Sequence, residues 1–425
     1  MLETIRNAWK IPDLRKKILY TILLLVVYRF GSTIPVPGID PTALAELFNS
    51  SDSVFGILNL ISGNAMQQMT IFALGISPYI NASIILNLLT VAIPALERMQ
   101  REDRKKIAQL TRYATIILAL LQGSGFYALL SNANGLTNPG VFSFITILMT
   151  FTAGSALLMW LGEQITEKGI GNGISLIIFA GIVSRIPAGI QSVWNNYIAG
   201  KSLLSAGTAM AIVILVVALA AVVLVVLFND AERRIPVQYA KRVVGRKMYG
   251  GQNTHIPLKV TMAGVIPIIF AMSLMSLPAT ILQLVNPTYL QNPPTWFRTI
   301  FTSGGWVYAL IYFLLILGFT YFYTSIQVNP IEMSNNIKNN GGFIPGIRPG
   351  RPTSDYIAKV ISRITLVGAV FLGLIAVLPM VLEWVGFTGI SFGGSSLLII
   401  VGVALETVKQ LESQMLMRHY KGFLN

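Results

Sequence analysis

The sequence predicts an all-α polytopic membrane protein with ten transmembrane helices in two inverted five-helix halves. Three observations lead to this prediction. Hydrophobic residues make up 54 % of the 425 residues and charged residues only 11 %, whereas soluble domains are about 25 % charged. Ten apolar segments reach the length of about 17–25 residues that crosses a bilayer. Lys and Arg are concentrated in alternate connections between these segments.

The ten apolar segments have boundaries that are soft by several residues. Because their number is even, both termini lie on the same side of the membrane. The segments are Ile18–Ile34, Ile71–Ala95, Tyr113–Leu130, Phe142–Leu161, Ile174–Ile190, Ser205–Phe228, Val260–Leu284, Trp306–Ile326, Ile364–Val385 and Leu397–Leu416.

The distribution of basic residues predicts which side that is. Of the 31 Lys and Arg residues, 27 lie on the side of the N-terminus, and only Arg29, Arg185, Lys201 and Arg298 lie on the other. Cytoplasmic loops carry the excess of Lys and Arg, so both termini are predicted to be cytoplasmic. The net charge of +14 is therefore mainly a topology signal and not a nucleic-acid-binding surface. Residues 1–17 are basic and no small-residue cleavage site follows them, so we expect no cleavable signal peptide.

The second apolar segment carries a row of polar residues that lipid cannot satisfy. Within Gly75–Leu89 lie Ser77, Asn81, Ser83 and Asn87, and hydrocarbon offers polar groups no hydrogen-bond partner. The helix must therefore face other protein or a water-filled cavity. A helix–helix interface held by small polar residues is the simpler of the two alternatives.

Between the first two segments, Val54–Met66 is apolar but too short to span a membrane. Backbone of this kind is tolerated at membrane depth only inside protein or in a water-filled cavity. The segment therefore either lies on the outer surface or folds back into the molecule. Both alternatives are open from the residues alone.

We place the boundary between two halves after residue 195, which gives residues 1–195 and 196–425. Five spans per half is an odd number, so two like-folded halves must be inverted relative to each other, as in many transport proteins. One internal similarity supports this arrangement: Gly75-Ile-Ser-Pro78 opens the second span and Gly264-Val-Ile-Pro267 the seventh. Gly- and Pro-interrupted spans in corresponding positions indicate the working interface between halves.

The glycines Gly169, Gly171 and Gly173 resemble a phosphate-binding loop only superficially. No strand precedes them, and their spacing is not that of a dinucleotide-binding motif. A tight turn leading into the fifth span is the better interpretation.

The absence of certain residue types from the sequence argues against several classes of function. The chain has no Cys, so it has neither a thiol nucleophile nor a cysteine metal site. The middles of the spans contain no carboxylate pair, His or Lys. Such groups usually mark ion coupling or proton relay, and intramembrane enzymes need titratable or metal-binding groups. We therefore expect no catalytic residues, no metal and no cofactor, and the alternative of an inverted-repeat solute carrier is less well supported.

Two predicted cytoplasmic loops, residues 229–259 and 327–363, are longer and more basic than topology requires. Prolines and glycines around Arg348 stiffen and expose it, which suits docking of a soluble partner. Contact with lipid head groups is an equally good explanation of the charge.

Five motifs in order along the chain resemble the SecY family, whose members are the channel subunits of the bacterial protein translocon. The motifs are GISPYINAS from Gly75, WLGEQITEKGIGNGIS from Trp160, YAKR from Tyr239, HIPLKVTMAGVIP from His255 and FIPGIRPG from Phe343. The resemblance covers essentially the whole chain. One departure is Asn81, which stands where relatives often have serine.

The resemblance implies an hourglass-shaped pore closed by a ring of aliphatic side chains. The ring residues would be Ile76, Ile80, Ile174, Ile178, Ile269 and Ile399. Two i, i+4 pairs in this set project stiff β-branched side chains, and a hydrophobic constriction can exclude water and ions by dewetting.

The resemblance also implies a short re-entrant plug helix at about residues 54–67 and a lateral gate between the halves. The plug residues would be Val54, Phe55, Ile57, Leu58, Leu60, Ile61 and Met66. The gate residues would be Asn81, Gln122 and Leu277. Through this gate, signal sequences and membrane-protein helices would reach the lipid bilayer.

Finally, the resemblance implies partners and a location. The basic loops would dock the motor ATPase SecA and the ribosome through Lys241, Arg242, Arg348 and Arg351. Two small membrane subunits, SecE and SecG, would complete the channel in the bacterial inner membrane. The channel would pass unfolded secretory polypeptides and hydrolyse nothing itself.

Overall fold

The structure is a computed structural model. It describes residues 2–40, 68–132, 135–198, 206–239, 242–244, 247–249, 253–285, 294–301, 305–385 and 394–421. The predicted plug, at about residues 54–67, lies outside the described residues.

Helices form most of the described chain. In the N-terminal part they are α1 (Leu2–Lys10), α2 (Pro12–Gly31), α3 (Ser77–Ala92), α4 (Pro94–Glu102), α5 (Arg104–Asn132), α6 (Val141–Lys168), α7 (Gly173–Val183) and α8 (Ile186–Val193), with a π-helical turn at Trp194–Ile198. In the C-terminal part they are α9 (Ala206–Asp230), α10 (Ile266–Val285), α11 (Thr295–Phe301), α12 (Trp306–Gln327), α13 (Pro330–Asn339), α14 (Arg351–Trp384) and α15 (Gly394–Lys421).

Each of the ten predicted apolar segments contains a helix, but not every helix is long and apolar enough to count as a span. Within the described residues six stretches meet that criterion: Lys105–Ser131, Val141–Lys168, Gly173–Ile198, Gly207–Asp230, Trp306–Asn339 and Arg351–Trp384. The pair formed by α3 and the start of α4 passes the same test only when the two are taken together, and it is bent by 113°. The all-helical membrane class is confirmed, whereas the count of ten spans stays a prediction.

The helices pack as two groups that meet along two seams. In the first group α3, α5 and α6 pack on one another, and α6 also contacts α2 and α7. In the second group α14 packs against both α12 and α15, with α9 against α15 and α10 against α12. At one seam α10 packs against α3 and α5, and at the other α15 packs against α7 and α1. One apolar core, with buried residues from both groups, runs across the seams.

The basic loop predicted at residues 229–259 folds as β-structure, which an all-helical prediction did not anticipate. Strand β1 (Glu232–Tyr239) pairs antiparallel with β4 (Asn253–Lys259) and with β5 (Gly342–Phe343), in the order β4-β1-β5. A separate two-stranded sheet pairs β2 (Arg242–Val244) antiparallel with β3 (Lys247–Tyr249).

Because β5 belongs to the second basic loop, the two loops form one structure, which consists of β1, β4, α13, β5 and the first three turns of α14. We call it the extramembrane domain because the sequence predicts both loops outside the membrane. It has its own apolar core. The buried members of this core are Ile235, Val237, Leu258, Ile337, Ile344, Ile357 and Ile361.

Candidate functional site

A cavity of about 680 Å³ lies between the two helix groups. Its walls come from α3, α5, α6 and α7 on one side and from α10 and α12 on the other. Its lining includes Ile80, Ser83, Asn87, Arg112, Trp160, Glu163, Gln164, Glu167, Asn172, Ile174, Ile178, Ile269, Phe270 and Tyr323. We call this space the funnel cavity.

Four of the six predicted ring residues line the funnel cavity: Ile80, Ile174, Ile178 and Ile269. We call the part of the wall that these four residues form its floor. The other two, Ile76 and Ile399, are 4 % and 2 % exposed and do not line it. All six lie in, or pack against, the single apolar core that both helix groups share. The structure thus brings these residues together, and their action as a seal stays a prediction.

Another part of the cavity wall is polar. Arg112 on α5 donates from Nε to Oε1 of Glu163 on α6 at 2.8 Å, and Gln164 and Glu167 lie on the same stretch of α6. These residues are close to the end of α6 at Lys168, which is the predicted cytoplasmic side. The cavity is therefore polar near its predicted cytoplasmic end and apolar where the isoleucines meet.

The sequence left open whether the polar row of α3 faces other protein or a cavity, and in the structure its residues do both. Asn81 is buried, at 2 % exposure, in protein. Ser83 and Asn87 line the funnel cavity together with Ile80. Positions i, i+3 and i+7 share one helical face, so Ile80, Ser83 and Asn87 form a stripe from the apolar to the polar end.

A tight turn between α6 and α7 fixes the position of Ile174, as the glycine spacing predicted. Gly171 has φ of +86°, a conformation that glycine adopts without steric cost. Asn172 is the N-cap of α7, and its Oδ1 accepts hydrogen bonds from the backbone N–H of Ile174 at 3.1 Å and of Ser175 at 3.3 Å. This cap satisfies two of the N–H groups that a helix start leaves without partners.

The predicted gate residues lie on the three helices of one seam, because α10, which carries Leu277, packs against α3 and α5. Asn81 on α3 and Gln122 on α5 are both buried, and Leu277 is half-buried. The Oδ1 atom of Asn81 is buried without a hydrogen-bond partner. Leaving such a group unpaired costs about 1–3 kcal/mol, so α3 packs less stably at Asn81 than it would with this atom hydrogen-bonded.

The predicted partner-binding residues lie on or near the extramembrane domain. Arg348 and Arg351 are exposed. The loop that carries Arg348 is held in place, since Thr353 Oγ1 donates to the Arg348 carbonyl at 2.8 Å and Ser334 Oγ donates to the Gly350 carbonyl at 2.8 Å. Arg242 begins β2, and Lys241 lies outside the described residues.

Sequence reasoning missed several lining residues of the funnel cavity. Arg112 and Glu163 are 51 positions apart, so no local spacing pairs them. Trp160, Phe270 and Tyr323 read as ordinary apolar or aromatic positions of membrane helices. One signal was available: an acidic residue near the end of the fourth predicted span and a basic residue just before the third were both predicted on the cytoplasmic side.

Comparison with known proteins gives the family. Residues 70–408 match the family model described as SecY. "Protein translocase subunit SecY" of Corynebacterium glutamicum is 45 % identical, and the protein of that name from Streptomyces scabiei is 46 % identical; both alignments cover 100 % of each chain.

Solved structures agree on the fold. "The structure of a protein conducting channel" superposes with a TM-score of 0.65 at 18 % identity, covering 94 % of this chain and 92 % of that one. "Sec61 in the Canine ribosome-channel complex from the endoplasmic reticulum" gives 0.60 at 16 % identity, with the same coverages. A multi-pass membrane chain that aligns over its full length with these translocase subunits, and matches the family model over more than three quarters of it, is a member of the SecY family.

Proposed function

We propose that this chain is the channel subunit of a protein translocase, which passes unfolded secretory polypeptides across the membrane and releases membrane-protein helices sideways into it. The name of its full-length relatives supports the proposal. The structural observation that carries it is the funnel cavity, which lies between two helix groups and ends on isoleucines from both.

The proposed seal is the ring of Ile76, Ile80, Ile174, Ile178, Ile269 and Ile399. An apolar constriction excludes water and ions by dewetting, and yet it makes no directional bonds that a passing chain would have to break. β-Branched side chains have restricted rotamers, which favours a defined closed state. The burial of these residues in one shared core supports this role.

The proposed lateral gate is the seam of α10 against α3 and α5. Asn81, Gln122 and Leu277 lie on these helices, and the unpaired Oδ1 of Asn81 makes the closed seam easier to open. Signal sequences would enter the lipid bilayer here. The plug residues Val54, Phe55, Ile57, Leu58, Leu60, Ile61 and Met66 lie outside the described residues and belong to the proposal on the family resemblance alone.

We assign the energy source to partners and no catalytic step to this chain. The exposed Arg348 and Arg351, with Lys241 and Arg242, would dock the motor ATPase SecA or the ribosome, and SecE and SecG would be the companion membrane subunits. The bacterial inner membrane and cytoplasmic termini complete the proposal. The solute-carrier alternative is not favoured, because the full-length relatives are named as translocase subunits.

Single-channel recording tests the proposal. Ile80→Asn and Ile269→Asn should each raise the resting ion conductance several-fold, because a polar amide in the constriction favours wetting. Deleting residues 54–66 should do the same. Ile85→Asn is the matched control, since Ile85 lies on the same helix but is 39 % exposed and does not line the funnel cavity.

Crosslinking gives an independent readout. A stalled secretory chain should crosslink to probes at positions 76 and 399 and not to a probe at position 85. Unchanged conductance in both asparagine variants, or no crosslink at either ring position, would refute the channel proposal.

A further inference from the structure

We propose that Gly162 is a positioning residue that lets Ile174 lie against α6 and thereby sets the width of the funnel cavity at its floor. This inference rests on the proposed channel function and adds to it a residue outside the ring. Gly162 is buried on α6, at the point where α7 begins beside it.

The Ile174 side chain lies directly against Gly162. A Cβ atom added to Gly162 would lie 2.5 Å from Cδ1 and 3.3 Å from Cγ1 of Ile174. Real Cβ atoms essentially never approach another heavy atom to 2.5 Å. The Ile174 side chain therefore occupies space that only a glycine at position 162 leaves free.

Hydrogen bonds hold the backbone of Ile174 and of its neighbour Gly173 beside α6. Ile174 is fixed by the Asn172 cap, and the neighbouring Gly173 N–H donates to Thr166 Oγ1 at 2.9 Å. Gly173 itself lies against the Gly162 backbone, because a Cβ on Gly173 would be 1.9 Å from the Gly162 carbonyl oxygen. A substitution at Gly173 would thus separate the two helices and damage folding.

Gly162 behaves differently, because its nearest neighbour is the mobile end of a side chain. In a Gly162→Ala variant the Ile174 side chain must swing away from α6, and the open space beside it is the funnel cavity. Alanine is also a better helix former than glycine, so the substitution does not weaken α6. The expected result is a narrower floor in a protein that still folds.

The test measures translocation of a reporter precursor into vesicles that contain the full-length chain in its assembled membrane complex. We expect Gly162→Ala to slow translocation several-fold with an unchanged amount of complex. Ile174→Val removes Cδ1, the atom that meets the new methyl group. The double variant Gly162→Ala, Ile174→Val should therefore translocate within twofold of Ile174→Val alone.

Gly373→Ala is the matched control for helix packing. A Cβ on Gly373 would lie 2.5 Å from Cδ2 of Phe313, the same distance, at a contact between α14 and α12 that does not line the funnel cavity. Ile174→Val should not rescue any effect of Gly373→Ala. Rescue there would show that the effect is general loosening and would overturn the inference.

Two further outcomes would also overturn it: a normal rate in Gly162→Ala, or a slow rate that Ile174→Val does not restore. A failed rescue in a chain whose Ile80→Asn variant still leaks ions would refute the positioning role and leave the channel proposal intact. If the Ile80→Asn and Ile269→Asn variants do not leak, the channel proposal itself fails.

Discussion

Gly75 and Gly264 adopt the same left-handed backbone conformation, with φ of +57° and +60°, and each lies two residues before a helix that carries proline at its second position. The first helix is α3, which begins at Ser77, and the second is α10, which begins at Ile266. A run of turn residues precedes both helices. The short sequence similarity between these two sites is therefore also a similarity of local structure.

This similarity supports the inverted-repeat interpretation. The two helices that share it pack against each other across one seam, and they supply Ile80 and Ile269 to the floor of the funnel cavity. Matching interrupted helices at the interface of two halves are a feature of transport proteins built from inverted repeats. The boundary after residue 195 and the ten-span count stay predictions.

The conformation of Gly264 gives the first prediction. Any L-residue at a positive φ pays a steric cost of about 1–2 kcal/mol. A Cβ on Gly264 would meet nothing within 4 Å, so Gly264→Ala isolates this backbone cost. We expect the free energy of unfolding of the detergent-solubilised protein to fall by that amount, and its melting temperature to fall with it.

Gly318→Ala is the control, since a Cβ there also meets nothing within 4 Å but Gly318 lies inside α12 with ordinary helical φ. There alanine should be neutral or stabilising. Equal melting temperatures of the two variants would show that Gly264 is not conformationally required.

The cap of α7 gives the second prediction. Removing an Asn N-cap costs about 1 kcal/mol, so Asn172→Ala should lower stability by that amount. It should also raise the resting ion conductance, because the capped residue Ile174 lines the funnel cavity. Melting curves and single-channel recording provide the two measurements.

Asn329→Ala is the matched control for Asn172→Ala, because Asn329 caps α13 in the same way: its Oδ1 accepts a hydrogen bond from the Ile331 N–H at 3.1 Å. Its loss should cost similar stability without any leak, since Asn329 does not line the funnel cavity. A leak of equal size in both variants would show that the resting ion conductance does not depend on the position of Ile174.

The membrane part of the fold could be predicted from composition and segment length, because burial in lipid demands long apolar helices. The β-structure was missed for a physical reason. Ile235 and Val237 alternate as a strand requires, but Pro236 argues against a central strand. The structure accommodates this proline because β5 pairs only with Gln238 and Tyr239 of β1, so beside Pro236 one edge of β1 is not paired with β5.

The site could be predicted only in part. The isoleucines at the funnel floor followed from the family resemblance, and the turn that positions Ile174 followed from glycine spacing. The Arg112–Glu163 pair could not be predicted, because it joins two helices whose relative rotation depends on packing. Exposed pairs of this kind contribute only about 0.2–1 kcal/mol, so the pair shapes the cavity wall more than it stabilises the fold.

The extramembrane domain gives the third prediction. Ile357 is 0 % exposed in its core, and truncating a buried isoleucine to alanine costs about 2–5 kcal/mol. Ile357→Ala should therefore make residues 232–259 sensitive to limited proteolysis. The resting ion conductance should not change, because this core is separate from the one that holds the isoleucine ring. Phe343→Ala, at an exposed position, should remain resistant to the protease, and equal cleavage of both variants would show that the domain has no independent core.

The exposed Arg348 gives the last prediction. Its loop is held by Thr353 and by the Ser334 hydroxyl, and Ile344 anchors the loop in the extramembrane core. The guanidinium is thus presented on a fixed backbone, which lowers the entropy cost of binding. Arg348→Glu should abolish export driven by the motor ATPase SecA while the membrane complex still assembles, because reversing an exposed charge leaves the core intact. Lys105→Glu, an equally basic and exposed position in another predicted cytoplasmic loop, should export at a normal rate. Normal export by Arg348→Glu, or an equal loss in both variants, would refute a specific docking role for this arginine.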